Sequence, residues 1–265
     1  MTKGIPFDFV DIMSENPFSL KGKLALVTGG GIGIGFGISQ CLINAGATVV
    51  ITGRREKILK NAVGELGEKS SYEIHDINEL DAACDFVRTV ESRYGSIDVL
   101  VNNAGINDVK PPFEVTDSDF DSILKTNLAG VFSLTREVAK FMVERKRGSI
   151  IMITSMAAIY GLADVAPYAA SKSGLLGLTR SLATDLSPSG VRINAIAPGF
   201  IVTPMHEEAL RRFPEKGKKI LDRTPLKRFG TTVDIGHAVV FLASDASGFI
   251  TGVQLPVDGG NAIGF

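Results

Sequence analysis

Little in this chain invites a metal, a disulfide or a membrane. Cysteine occurs only at Cys41 and Cys84, in no CxxC or metal-ligand spacing. The two read as reduced thiols of a cytosolic protein, so a cytoplasmic setting is expected. Histidine is confined to His75, His206 and His237, scattered along the chain, and His206-Glu-Glu-Ala-Leu is not an HExxH helix, so no metal is expected. No apolar run reaches the roughly 18 residues of a membrane span. Residues 1–20 lack an unbroken apolar segment and carry Asp8, Asp11, Glu15, Pro6 and Pro17, so no signal peptide is expected. Like charges form no block, and the formal net charge is −1, which leaves no electrostatic footprint for nucleic acid or an anionic membrane.

What remains is ordinary globular material: 265 residues, 45% hydrophobic and 22% charged, enough for one large α/β domain or two small ones. Short apolar runs alternate with helical spacing throughout. Strands are expected at Leu24–Thr28, Thr48–Thr52, Tyr72–His75, Ile97–Val101, Ser149–Thr154, Val191–Ala197 and Val253–Val257. Helices are expected after the first glycine turn as far as Gly46, over Asn78–Tyr94, over Asp117–Arg147 with a break in character at Thr126–Gly130, around Tyr168, and over Val233–Ala243. This alternation predicts a single-domain, doubly wound parallel sheet of about seven strands with helices on both faces. The domain is expected over residues 20–265, behind an N-terminal arm of residues 1–19. Phe7, Phe9, Val10, Ile12 and Phe18 give the arm anchors for docking on the domain or on a neighbouring subunit; disorder is the alternative.

In such a sheet ligands lie at the carboxyl ends of the strands, and the unusual polar residues of this chain fall there. Thr28-Gly29-Gly30-Gly31-Ile32-Gly33-Ile34-Gly35 follows the first strand and opens the first helix. It is neither GxGxxG nor a P-loop, yet a glycine turn at a helix N-terminus presents bare N–H groups and a positive dipole end to phosphate. Asp76, Asn102-Asn103, Ser155 and Pro198-Gly199 end the other strands. On the expected helix from Val165 to Leu186, Tyr168 and Lys172 stand four residues apart on the apolar face. A buried phenol with a partner and a lysine reaching outward would explain the pair; so would a tyrosine made labile by a fixed cation.

Thr28-Gly29-x-x-x-Gly33-x-Gly35, Asn102-Asn103-Ala104-Gly105, Asn127, Ser155, Tyr168-x-x-x-Lys172, Pro198-Gly199 and Val257-Asp258-Gly259-Gly260 together resemble the short-chain dehydrogenase/reductase family over residues 20–262. The stretches Phe18–Gly30 and Pro225–Gly230 look most like the sugar-acid oxidoreductases of that family; similar stretches occur in its 3-oxoacyl thioester reductases. The resemblance implies a Rossmann-type fold, a nicotinamide cofactor, a small carbonyl or alcohol substrate and the catalytic set Asn127, Ser155, Tyr168 and Lys172. It implies that Tyr168 exchanges a proton with the substrate, that Ser155 donates to the substrate oxygen, and that Asn127 sits at a kink holding a water. Lys172 would depress the phenol's pKa and hold the nicotinamide ribose. It places the cofactor against Thr28, Gly29, Gly31, Ile32, Gly33, Ile34, Gly35, Asp76, Ile77, Asn103, Ala104, Gly105, Pro198, Gly199, Ile201 and Thr203. Gly199 would allow close approach to the nicotinamide, with Ile201 and Thr203 facing its carboxamide. Asp76 would meet adenine or cap a helix starting near Asn78.

Cofactor choice is legible after the second strand. Gly53-Arg54-Arg55 stands where an NAD-binding acidic residue would be, and Arg54 can pair with a 2′-phosphate. NADP is therefore expected over NAD, although the basic residue many NADP users carry before the second motif glycine is Ile32 here. Residues 203–228 are rich in charge and are expected to form a lid, from which His206, Arg211 or Arg212 would reach a sugar-acid carboxylate; a solvated helix pair is the alternative. The last strand and Val257–Gly260 resemble the subunit-packing end of tetrameric members, so a homotetramer is expected.

Overall fold

In the computed structural model, residues 16–203 and 214–264 are described. They run β1 (Leu24–Thr28), α1 (Gly33–Asn44), β2 (Thr48–Gly53), α2 (Glu56–Leu66), β3 (Ser70–Ile74), α3 (Ala83–Tyr94), β4 (Ile97–Asn102), α4 (Asp117–Leu124), α5 (Gly130–Glu144), β5 (Gly148–Ile153), α6 (Ala166–Leu186), β6 (Val191–Pro198), α7 (Pro214–Arg223), α8 (Thr232–Ala243) and β7 (Gln254–Val257). The seven strands form one sheet in the order β3-β2-β1-β4-β5-β6-β7, and every pairing is parallel.

The central strands β1, β4 and β5 are largely apolar and buried because both faces are covered, whereas the edge strands β3 and β7 are only partly buried. All five residues of β1 are buried, and they alternate between two cores. Leu24 and Leu26 join Val87 of α3, Leu134 of α5 and Leu175 of α6 on one face. Ala25 and Val27 join Ile38 of α1, Leu59 of α2 and Ile235 of α8 on the other. The chain leaves β1 for β2 on one side and later returns to place β4 on the other, so a crevice opens where the strand order reverses, at the carboxyl ends of β1 and β4.

Two local features depart from the expected helices. The helix expected from Asn78 begins at Ala83 after a single 3-10 turn over Leu80–Ala82. Asn78 is instead held by Asp76, whose Oδ1 accepts from both its backbone N (3.0 Å) and its Nδ2 (3.1 Å). The expected break near Thr126 is a π turn, Lys125–Ala129, between α4 and α5. One extra residue in the turn re-aims its side chains, and such turns occur at functional sites.

Residues 1–15 of the arm lie outside the described residues. Its last residues dock on α8 and the 3-10 turn after it: Ala246 N donates to the Pro17 carbonyl (3.0 Å) and the Phe18 ring lies 6.2 Å from that of Phe241, while Leu20, at the start of the domain, is fully buried. Cys41 is buried and Cys84 half-buried, both free. Among the described residues no helix is long and apolar enough to cross a membrane, and no three potential metal ligands cluster.

Candidate active site

The crevice is braced before it binds anything. The Thr28 hydroxyl, at the buried end of β1, accepts the N–H groups of Asn103 (3.0 Å) and Ala104 (2.9 Å). Asn103 Nδ2 returns to the carbonyls of Thr28 (3.0 Å) and Gly29 (3.2 Å). Thr28 and Asn103 thus tie β1 to β4 and set the floor of the cleft. Above it, Gly29 and Gly33 take φ of +63° and +56°, which side chains rarely adopt. A Cβ on Gly35 would lie 2.2 Å from the Gly29 carbonyl oxygen, so the turn folds this tightly only around glycine.

The start of α1 has no side-chain cap at Ile32 and no acidic residue in its first turn. Thr203 crosses the turn, its methyl 3.6 Å from where a Gly33 Cβ would stand. Arg54 is exposed at the end of β2, its Nη1 3.7 Å from Asp76 Oδ2. A glycine cradle, an uncapped helix N-terminus and a cation one strand over match a phosphorylated dinucleotide.

The side chains expected to be catalytic come from three elements. Tyr168 and Lys172 lie on α6, in the register the four-residue spacing requires. Lys172 is buried, and its Nζ donates to the Ile153 carbonyl at the end of β5 (2.8 Å). It sits 5.6 Å from the centre of the Tyr168 ring. Burial drives the Lys172 pKa down to about 8. Burial also raises the Tyr168 phenol, with a hydrogen bond to Ser155 pulling the other way. The expected depression of the phenol by its lysine is therefore not what governs it: desolvation is the larger effect, and the ammonium is turned to a backbone carbonyl.

Ser155 follows β5. Its Oγ accepts the N–H of Ala157 (3.1 Å), capping a 3-10 turn over Met156–Ala158. The helix-cap reading is thus realised, and a hydroxyl that accepts one bond can still donate another, as the expected role of Ser155 requires. Asn127 is fully buried in the π turn, not on a solvated face. Its Oδ1 accepts the N–H of Ile106 (2.8 Å), and its Nδ2 donates to the Ile106 carbonyl (2.8 Å) and to Ser171 Oγ (3.1 Å). Asn127 Oδ1 and Lys172 Nζ converge on Gly105, where a Cβ would meet them at 3.2 and 3.3 Å.

Other expected residues are placed differently. The side chain of Ile77 is buried in the core beside Phe86, and that of Ile201 is buried against Gly230. At both positions the side chain serves packing. The missing Cβ of Gly199 would stand 2.6 Å from Asp258 Cα, so packing against the residue after β7 already requires glycine there. Pro198 closes β6, Ile34 packs on the core beneath the turn, Gly31 abuts Ile58 of α2, and Ile32 is half exposed.

His206, Arg211 and Arg212 lie outside the described residues. Of the other charges in the segment expected to form a lid, Arg228 forms a two-pronged pair with Asp234 (both contacts 2.9 Å) at the start of α8. Arg223 stacks over Tyr160 at 4.2 Å and donates to the Asn261 carbonyl (3.0 Å). Ser171, which holds Asn127 and donates to the Tyr168 carbonyl (2.7 Å), was not singled out from sequence. Its signal was its place between the tyrosine and lysine of one helix face.

The chain matches the family described as Enoyl-(Acyl carrier protein) reductase over residues 30–262. The gluconate 5-dehydrogenase of Gluconobacter oxydans is 39% identical over 246 residues, 92% of this chain and 96% of that protein. The 3-oxoacyl-[acyl-carrier-protein] reductase FabG of Thermotoga maritima is 38% identical over 249 residues, 92% of this chain and 99% of that protein. The crystal structure of a gluconate 5-dehydrogenase from Burkholderia cenocepacia, in complex with NADP and tartrate, superposes with a TM-score of 0.89 at 34% identity, covering 94% of this chain and 98% of that one. With Ser155, Tyr168 and Lys172 gathered at the end of β5 and a braced glycine turn beside them, the chain belongs to the short-chain dehydrogenase/reductase family, oxidoreductases acting on CH–OH and carbonyl groups.

Proposed function

We propose that the protein is an NADP-dependent, reversible oxidoreductase of a secondary alcohol and its ketone, with gluconate and its 5-keto form as the leading pair. The observation that carries the reaction type is the half-buried Tyr168 ring, 5.6 Å from the ammonium of a buried Lys172 that is held on the Ile153 carbonyl one helical turn away. The glycine turn, the N-terminus of α1, Arg54 and Thr203 would hold NADP, which when bound supplies the hydride or accepts it.

The protein's own groups handle the proton and the developing charge. In carbonyl reduction Ser155 donates a hydrogen bond to the substrate oxygen and Tyr168 gives it a proton. Lys172, fixed beside Asn127 at Gly105, supplies positive charge as the phenolate forms. In alcohol oxidation each transfer reverses. The retained Tyr168, Ser155 and Lys172 count against a non-catalytic nucleotide-binding regulator.

A second substrate class stands beside the first, because the 3-oxoacyl thioester reductase relative is as similar as the gluconate enzyme. The NADP-bound gluconate 5-dehydrogenase neighbour and the cation in place of an acidic residue after β2 support NADP. Initial rates on gluconate, 5-ketogluconate, a neutral polyol and acetoacetyl thioester, with each cofactor, decide between these readings. Equal rates on the polyol and the sugar acid sink the sugar-acid reading, and preference for the thioester replaces it. β7 is an edge strand of the sheet, which supports a homotetramer that light scattering tests, and the free thiols Cys41 and Cys84 support a cytoplasmic setting.

A further inference from the structure

The loop after β3 is built onto the π turn. Asp76 Oδ1 accepts from the backbone and side-chain nitrogens of Asn78. A carboxylate only accepts, so the amide nitrogen of Asn78 must face Asp76 and its Oδ1 must face away. That oxygen accepts from the hydroxyl of Thr126 at 3.0 Å. Thr126 is buried and immediately precedes Asn127 in the π turn. Mid-helix threonine ordinarily returns its hydroxyl to its own helix; here it is given to the loop.

Two further contacts press the same loop onto the start of α5. The Ile77 carbonyl oxygen would lie 2.4 Å from a Cβ on Gly130, so only glycine allows the approach, and Ser133 Oγ donates to the Leu80 carbonyl (3.0 Å). The result is a continuous path from Arg54, through Asp76, Asn78 and Thr126, to the residue whose amide grips Ile106 and Ser171 beside Lys172.

We propose that Asn78 and Thr126 are positioning residues for Asn127: the Thr126–Asn78 hydrogen bond anchors the π turn to the loop after β3 and keeps the Asn127 amide aimed at Ile106 and Ser171. The proposal rests on the catalytic reading above. Asn127 does its work only if its amide stays beside Gly105 and Lys172, and the Thr126–Asn78 bond is the side-chain bond that ties the π turn to the loop after β3. Asp76 orients Asn78, so it acts two bonds removed from the turn.

The test compares Thr126→Val, which keeps shape and loses the donor, with Thr126→Ser, which keeps the donor. Thr126→Val is expected to lower kcat by about tenfold, with the NADPH dissociation constant within about twofold and a displaced pH profile of kcat; Thr126→Ser restores both to within about twofold. Amide hydrogen exchange on the protein without added nucleotide gives an independent readout: residues 125–130 exchange faster in Thr126→Val and at the wild-type rate in Thr126→Ser. Asn78→Ala repeats the Thr126→Val pattern. Unchanged exchange and unchanged kcat in Thr126→Val overturn the proposal, as does equal damage in Thr126→Ser. If Thr126→Val fails to fold, Asn78→Ala carries the same two readouts. Failure of the underlying catalytic reading shows separately, as turnover surviving in Tyr168→Phe.

Discussion

The ammonium of Lys172 and the carbonyl of Ile153 are 2.8 Å apart, so the last residue of β5 holds the cation that α6 brings in. Burial lowers the Lys172 pKa from its ordinary 10.5 to about 8. Below pH 8 the ammonium is present in both folded and unfolded chains, and the folded state bears the whole desolvation penalty. Between about 8 and 10.5 the unfolded chain holds the proton and the folded chain has released it, so stability rises with pH through that window. Lys172→Met removes this dependence. Denaturant unfolding at pH 7 and pH 10 should show the variant's stability relative to wild type falling by about 2–3 kcal/mol as pH rises, an order-of-magnitude figure. The same difference at both pH values would show that the lysine is not desolvated.

Tyr168 is raised by burial and so holds its proton through neutrality, which suits it to donate. Carbonyl reduction should be flat in kcat/KM across neutral pH and fall as alkaline pH removes that proton. Alcohol oxidation, which needs the phenolate, should rise with pH over the same range. Tyr168→Phe should lower kcat in both directions by about a thousandfold, while NADPH fluorescence titration shows binding within about twofold of wild type. Simultaneous loss of binding would make the tyrosine a structural residue.

The fold was legible because its central strands are buried on both faces and stand out as short apolar runs between helical stretches. The tyrosine, lysine and serine stood out as polar groups on an apolar helix face and at a strand end, but placement alone fitted a structural role, and their expected catalytic roles came from the resemblance to the family. The partner of Lys172 was not, because it is a backbone carbonyl 19 residues away in sequence. Side-chain direction at strand ends was also hidden: Ile77 and Ile201 flank the cleft in sequence yet turn into the core. The true start of α3 was masked because Asn78 reads as a helix opener, while its side chain is engaged by Asp76 and Thr126.

Arg54 tests the cofactor preference. Its contact with Asp76 is long, 3.7 Å, and its side chain is mostly exposed, so the pair is worth about 0–1 kcal/mol and yields readily to a phosphate. Arg54→Ala should reduce kcat/KM for NADP by about tenfold or more, the loss of a charge-assisted contact. The value for NAD should stay within about threefold. An unchanged NADP-to-NAD ratio would remove Arg54 from the phosphate site.

Gly35 and Gly64 make a matched pair, both glycines inside helices. A Cβ on Gly35 would meet the Gly29 carbonyl oxygen at 2.2 Å and Asn103 Nδ2 at 2.5 Å, both fixed parts of the brace between β1 and β4. Nothing stands within 4 Å of a Cβ on Gly64, on the exposed side of α2. Gly64→Ala should therefore stabilise the protein by about 0.5–1 kcal/mol through helix propensity. Gly35→Ala should destabilise it by about 2–4 kcal/mol, because the turn or the brace must move. It should also weaken NADPH binding, since the displaced atoms are those that shape the cradle. Thermal and denaturant unfolding of the two variants beside wild type checks both signs. A Gly35→Ala protein with wild-type stability and wild-type NADPH affinity would mean that the turn opens without loss, and the close approach would then have no part in shaping the site.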